Sequence, residues 1–125
     1  MIGITLDAGA LIALERSDRR VIALLARATA TDATVTVPAS VLAQTIRDPA
    51  RQALTSKLIR QPNTRVPALD GGAAVQVGRL LAASQTADVV DAHVVLCARE
   101  ADDSIVTTDP RDLARLDPGA RLVVL

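Results

Sequence analysis

The sequence predicts an α/β domain built around a parallel β-sheet. Short apolar runs, each too short to make a good helix, alternate with longer segments of helical character. That alternation is typical of a parallel sheet flanked by helices. A length of 125 residues suits one domain, 1–125, with a substantial core. Half of the residues are hydrophobic but none is aromatic, so the core must be aliphatic.

The apolar runs predict a sheet of four to five strands, at 2–6, 34–37, 64–66, 104–107 and 121–124. Helices are expected at 8–16, 18–30, 39–47 and 50–60. Pro38 suits the start of the third helix, and Asp48-Pro49 separates the third from the fourth. Asp70 is predicted to cap a helix that runs to about residue 83, and Ser84 to open another that runs to about residue 101.

Composition narrows the ways in which this chain could bind nucleic acid. The formal net charge is zero, so no global positive field attracts a polyanion. The lack of Phe, Trp and Tyr excludes aromatic stacking of bases. All basic residues except Lys57 are arginines, which suit bidentate contact with phosphate. Any nucleic-acid binding must therefore be local.

The cysteine count and the N-terminal sequence indicate in which cellular compartment the protein is expected. Cys97 is the only cysteine, so no intrachain disulfide can form and a thiolate metal site is not expected. The N-terminal segment has no basic leader-like region, and no apolar run reaches the length of a membrane span. We therefore expect a cytoplasmic protein with no membrane partner.

Acidic residues follow two of the predicted strands and open one predicted helix. Asp7 comes directly after the first strand, and Asp109 follows the fourth strand after Thr108, so both lie at one edge if those strands pair. Asp88 and Asp91 have the spacing that places side chains on one helix face. Clustered carboxylates require a neutralising ion, and Mg²⁺ or Mn²⁺ suits an all-oxygen site.

Each of these aspartates also has a purely structural interpretation. Asp7 and Asp88 suit helix N-caps, and Asp109-Pro110 suits a helix start. The helix dipole alone favours acidic residues in first turns. It is the combination of residues that favours a metal site.

Three stretches resemble the PIN domains, and among them the VapC-type toxins of bacterial toxin–antitoxin pairs. Residues 6–14 (LDAGALIAL) are similar to that family's first strand and metal-binding Asp. Residues 84–100, with DVVDAHV at 88–94, are similar to its Asp-bearing helix, and residues 107–113 (TTDPRDL) to its closing acidic motif. The resemblance covers nearly the whole chain with the motifs in the expected order.

The resemblance implies a three-layer α/β/α sandwich with a Mg²⁺ or Mn²⁺ site. It also implies endonucleolytic cleavage of RNA by a metal-activated water, a VapB-like antitoxin partner and a homodimer. By position, Asp7, Asp91 and Asp109 match the family's metal-site aspartates. Asp112 matches a further acidic position, and Asp88 an accessory one.

Position 44 departs from the family pattern, because Gln44 stands where the family usually has Glu. An amide keeps one oxygen acceptor but loses the negative charge and the capacity to act as a base. We therefore expect Gln44 to complete the catalytic set with weaker metal affinity than Glu would give.

Other side chains in or near these motifs have more limited predicted roles. Thr108 is taken as an accessory hydroxyl at the site, whereas Thr107 is interpreted as an ordinary strand residue. Arg111 could contact phosphate or form a surface ion pair. His93 is expected at the surface or an interface, because it lies two residues after Asp91 on the helix. Cys97 is expected in buried packing.

Other functions stay open. A PIN-like module weakened by Gln44 would bind RNA or its antitoxin without efficient cleavage. A phosphoacceptor signalling domain would also place an acidic Mg²⁺ pocket on a parallel sheet, but Lys57 falls inside a predicted helix instead of at a strand end. A nucleotide-binding enzyme is disfavoured, since neither phosphate-loop motif is present.

Overall fold

The computed structural model describes residues 3–125, which form five strands and seven helices. The strands are β1 (Ile4–Leu6), β2 (Val35–Thr36), β3 (Thr64–Arg65), β4 (Ser104–Thr107) and β5 (Leu122–Val124). The helices are α1 (Ala8–Glu15), α2 (Arg19–Ala30), α3 (Ala39–Thr45), α4 (Ala53–Leu58), α5 (Gly71–Ser84), α6 (Val89–Ala101) and α7 (Pro110–Leu116). Residue 2, predicted to open the first strand, lies outside the described residues.

All five strands pair in parallel, in the order β3-β2-β1-β4-β5. The predicted parallel sheet is therefore confirmed, at the upper end of the expected strand number. Strand β1 lies at the centre, between β2 and β4. Loops that follow β1, β2 and β4 consequently meet at one edge of the sheet, where ligands gather in open α/β folds.

The register between β1 and β4 sets the position of the first carboxylates. Leu6 pairs with Val106, so Asp7 stands level with Thr107, and the Asp7 amide donates to the Val106 carbonyl at 3.3 Å. The two strands end together, which confirms the expected adjacency of the segments after them.

Helices cover both faces of the sheet, which confirms the three-layer arrangement. Helix α1 contacts β1 and β4 and packs with α2 and α4. Helix α6 contacts the same strands from the other side and packs with α5 and α7. Helix α3, which follows β2, contacts both α1 and α6. It therefore joins the two helical layers at the carboxyl edge of the sheet.

The core is aliphatic, as the absence of aromatic residues requires. Its largest fully buried apolar side chains include Leu6, Leu11, Ile105 and Leu113. Cys97 is also buried, as predicted. Branched aliphatic side chains on short strands and Ala-rich helices allow the layers to pack closely without large rings.

The helix before the Asp-bearing segment ends later than predicted. Ser84 does not open α6 but closes α5, where its hydroxyl donates to the Leu80 carbonyl at 2.9 Å. Gln85 then adopts a left-handed conformation with φ of 55° and ends the helix. Helix α6 begins at Val89, capped by Asp88. Local hydrogen bonding therefore overrides the Ser-Gln-Thr start signal.

No single helix within residues 3–125 is long and apolar enough to cross a membrane. Helices α5 and α6 would pass that test only as a pair, and they meet at an angle of 107°.

Candidate metal-binding active site

Asp7 lies at the junction between β1 and α1, where it caps the helix. Its Oδ1 accepts a hydrogen bond from the Ala10 amide at 2.9 Å, and the residue is only 6% exposed. Burial, the largest cause, and the nearby Asp109 charge raise the pKa of this carboxyl. The cap interpretation from the sequence is thus correct, and it places a buried carboxylate at the sheet edge.

Thr107 links the two strand-end aspartates. Its buried hydroxyl accepts from the Asp109 amide at 3.0 Å, and a hydrogen bond from the same hydroxyl lowers the pKa of Asp7. Asp109 in turn caps α7, accepting from the Arg111 amide at 3.3 Å. The interpretation of Thr107 as an ordinary strand residue misses this link.

The Thr108 hydroxyl lies over Gly9 at the start of α1. A side chain at position 9 would overlap Thr108 Oγ1 and come within 3.4 Å of Asp7 Oδ1. Glycine therefore permits the close approach of the two loops. The exposed Thr108 thus lies near Asp7, and its accessory role stays a prediction.

Asp88 and Asp91 flank the first turn of α6. Asp88 caps the helix, and its Oδ1 accepts from the Asp91 amide at 3.0 Å. Burial is the largest cause that raises the pKa of Asp91 to about 7. The other causes are neighbouring carboxylates, in decreasing order those of Asp88, Asp7, Asp112 and Asp109.

The structure thus brings together side chains from three motifs separated in sequence. We call them the acidic cluster: Asp7, Asp88, Asp91, Asp109 and Asp112. The ion pairs within residues 3–125 all lie elsewhere, at Asp18, Asp48, Asp102 and Asp117. No carboxylate of the cluster therefore forms an ion pair with a side chain of the described residues.

The donor chemistry of the cluster fits a hard divalent cation, since carboxylate oxygens are its preferred ligands. Within residues 3–125, however, no three His, Cys, Asp or Glu side chains converge closely enough to form a ready metal site. Mg²⁺ tolerates such an arrangement, because it usually keeps several waters and binds through one or two carboxylates.

Gln44 lies near the end of α3 and is exposed. Its side chain makes no hydrogen bond to any residue in the range 3–125. Its predicted place in the catalytic set therefore stays a prediction. The same helix contributes a residue that the sequence did not single out: Ser40, whose Oγ lies 2.6 Å from His93 Nδ1.

The expectation for His93 is wrong, because its ring is buried, with an exposure of 1%. Burial lowers its pKa, and a hydrogen bond with the Ala68 backbone opposes that shift. His93 does point away from the side of α6 that carries Asp91, as its spacing predicts. It joins α6 to α3 and to the segment before α5 instead of facing solvent.

A second buried carboxylate lies outside the acidic cluster. Asp103 precedes β4, at the opposite edge of the sheet, and accepts from Thr5 Oγ1 at 2.8 Å. Burial raises its pKa. Its position before a strand, not after one, distinguishes it in the sequence from Asp7 and Asp109.

A sequence model of the PIN domain matches residues 4–118 of the chain. The chain belongs to the PIN domain family. The resemblance carried by the three acidic motifs is therefore confirmed. PIN domains are typically metal-dependent nucleases. The aspartates that the resemblance predicts as metal ligands lie close together at the carboxyl edge of the sheet, and their role stays a prediction.

Comparison with known structures finds 14 matching chains. One belongs to the crystal structure of FitAcB from Neisseria gonorrhoeae, with a TM-score of 0.65 and 17% sequence identity over 95% of each chain. At that identity the likeness shows the fold alone. A search of curated proteins finds no match.

Proposed function

We propose that this PIN domain is a metal-dependent endoribonuclease that acts as the VapC-type toxin of a toxin–antitoxin pair. The observation that carries the proposal is the acidic cluster, whose carboxylates form no ion pair with a cationic side chain in residues 3–125. Family membership supports nuclease chemistry for such a cluster. The proposed location is the cytoplasm, where RNA is available.

Asp7, Asp91 and Asp109 would hold Mg²⁺ or Mn²⁺, with Asp112 as a further ligand and Asp88 and Gln44 around them. When bound, such an ion activates a water and neutralises charge that develops on a scissile phosphate. Thr107 orients Asp7 and fixes the loop that carries Asp109. No nucleophilic side chain is needed for this hydrolysis.

The proposed antitoxin partner would dock in an apolar groove between α1, α2 and α4. The groove has a volume of about 260 Å³, and Leu14, Leu25 and Leu54 contribute to its walls. Ile22 lines it and is 43% exposed. The apolar lining favours an apolar segment of the antitoxin as the occupant. Ile22→Glu should then abolish antitoxin binding without loss of RNA cleavage.

The proposal includes a homodimer. Helix α5 exposes small and apolar residues, among them Ala74, Gly78 and Val75, the last 57% exposed. Light scattering coupled to size exclusion measures the mass directly. A monomer at micromolar concentration would contradict this part of the proposal.

The activity is tested with mixed-sequence RNA and the purified chain in Mg²⁺, Mn²⁺ or EDTA. We expect cleavage only with the cations, and its loss in Asp91→Asn. Asp32→Asn is the matched control, because exposed Asp32 lies before β2, at the opposite edge of the sheet. Cleavage that persists in Asp91→Asn, or no cleavage by the wild type, would contradict the proposal.

The second candidate is a weakened PIN module that binds RNA or its antitoxin without efficient cleavage, and Gln44 favours it. Gln44→Glu distinguishes the two. If the wild-type site is catalytically active, Gln44→Glu should bind the cation more tightly and cleave RNA faster at low Mg²⁺. Absence of cleavage in both proteins, with RNA binding retained, would favour the binding module.

A further inference from the structure

A cavity adjoins the acidic cluster on the side of α7. It has a volume of about 240 Å³ and lies between the turn that joins α5 to α6 and the last turns of α7. Asp88, Asp91 and Asp112 form the wall that it shares with the cluster. Any molecule in this cavity therefore lies next to the proposed reacting position.

Among residues 3–125, Arg115 is the only one with a cationic side chain that lines this cavity. It is exposed, and within residues 3–125 it forms no ion pair, although Asp112 lies one helical turn before it. By contrast, Arg99 and Arg121 are bound to Asp117 and Asp102. The guanidinium of Arg115 therefore keeps its planar donor set available for an anion with two oxygens.

The remaining lining suits a nucleotide better than a lone phosphate. Gln85 presents an exposed side-chain amide, and Thr86 a hydroxyl that also bonds to Ser84 at 2.8 Å. Both can donate to and accept from the edge of a base. Exposed Ala87 adds apolar surface for the base to contact, and the largely buried Leu116 completes the cavity wall. Such contacts serve an unpaired base, because bases in duplex RNA are largely inaccessible.

A second arginine lies on the same side of α7. Arg111 is one turn before Arg115, follows Asp109 and likewise forms no ion pair within the described residues. Four residues of helix rise about 6 Å, a spacing comparable with that of successive phosphates in an extended strand. Helix α7 thus presents two free cations in a line that starts at the acidic cluster.

We propose that this cavity is the subsite for the nucleotide that flanks the scissile phosphodiester of single-stranded RNA, with Arg115 bound to its phosphate. The inference rests on the proposed function, because it assigns a substrate contact to the same site. Arg115 compensates locally for carboxylates that would otherwise repel the strand on both sides of the cleaved bond. It contributes to binding, and the acidic cluster contributes to the reaction.

The test compares Arg115→Gln with Arg60→Gln, an equal change of charge in the segment before β3, at the opposite edge of the sheet. Cleavage of mixed-sequence RNA gives KM and kcat. Fluorescence anisotropy of a labelled single-stranded RNA, measured in an Asp7→Asn background at several salt concentrations, gives Kd without cleavage. Arg115→Lys tests whether the charge or the planar group is needed.

We expect Arg115→Gln to raise KM and Kd about tenfold, as for loss of one charge-assisted hydrogen-bonded contact. The slope of log Kd against log salt should fall by about 0.7, with kcat changed less than about twofold. Arg115→Lys should restore the salt slope but not the full affinity. Equal KM, Kd and slope in Arg115→Gln and Arg60→Gln would overturn the inference. If the wild type cleaves no RNA, it is the proposed function that fails, while the binding comparison still reports on Arg115.

Discussion

Thr107 shows how a single hydroxyl can position two charged groups. It bonds to Asp7 and to the Asp109 amide, so both strand-end aspartates depend on one buried oxygen. The sequence predicts an accessory hydroxyl at Thr108 and an ordinary strand residue at Thr107, because threonine has a high β-propensity. Thr107 is the last residue of β4, which is buried from Ile105 to Thr107, whereas Thr108 lies beyond the strand and is exposed.

We expect Thr107→Val to destabilise the protein by about 1–3 kcal/mol, since the Asp109 amide loses its acceptor in a partly buried site. The pKa of Asp7 should rise further, because the hydrogen bond that lowers it disappears. Urea unfolding measures the first effect, and NMR titration of the Asp7 carboxyl the second.

Thr107→Ser keeps the hydroxyl and should retain the Asp7 pKa. Thr108→Val, a matched change at the adjacent exposed position, should alter stability by less than about 0.5 kcal/mol. Equal destabilisation by Thr107→Val and Thr108→Val would contradict the assigned link.

At the scale of elements, α3 and α6 are joined by the Ser40–His93 pair. The ring nitrogen Nδ1 faces the Ser40 hydroxyl at 2.6 Å, while the ring also bonds to the Ala68 backbone. Ser40 and Gln44 are one turn apart on α3 and share a face. The pair therefore sets the orientation of the helix that carries Gln44 relative to the helix that carries Asp91.

We expect Ser40→Ala to cost about 1–3 kcal/mol, because the buried His93 Nδ1 loses its partner. Adding His93→Leu should cost less than the sum of the single changes, as measured by a double-mutant cycle from chemical denaturation. Ser56→Ala is the control, since the exposed Ser56 hydroxyl bonds only to a loop carbonyl. Strict additivity in the cycle would argue against coupling of the two helices through this pair.

At the scale of the whole molecule, the fold concentrates unbalanced negative charge at one edge of the sheet. The pKa of Asp91 rises to about 7, mainly through burial, and that of Asp7 rises for the same reason. Folding holds these carboxylates together even though their charged forms repel each other. The stability of the metal-free protein should therefore depend on pH.

The raised pKa of Asp91 fixes the sign of that dependence. Between the ordinary Asp value of 3.8 and about 7, the folded protein holds a proton that the unfolded chain releases. This contribution to stability is complete below pH 3.8 and is lost as pH rises through about 7. In EDTA, the Tm advantage of Asp91→Asn over wild type should therefore grow from pH 5 to pH 8.

Divalent cations should reverse that trend, since they bind the ionised cluster. Mg²⁺ or Mn²⁺ should raise the wild-type Tm more at pH 8 than at pH 5, and should raise that of Asp91→Asn less. Arginines lower the pKa values of Asp18 and Asp117, so these residues make stability rise with pH. Their contribution is the same in wild type and in Asp91→Asn, and it therefore cancels in the Tm difference. A Tm difference that does not change with pH would contradict the assigned environment of Asp91.

The amino-acid sequence alone determined the element types, the parallel sheet and the placement of Asp7 and Asp109 after strands. These features depend on apolar runs, helix periodicity and caps, which act over a few neighbouring residues. Only the tertiary structure decided the order β3-β2-β1-β4-β5, the burial of His93 and the meeting of Asp112 with Asp91. The start of α6 and the role of Thr107 were decided there too. Strand order, burial and charge repulsion depend on which distant segments pack together, and no local pattern records that choice.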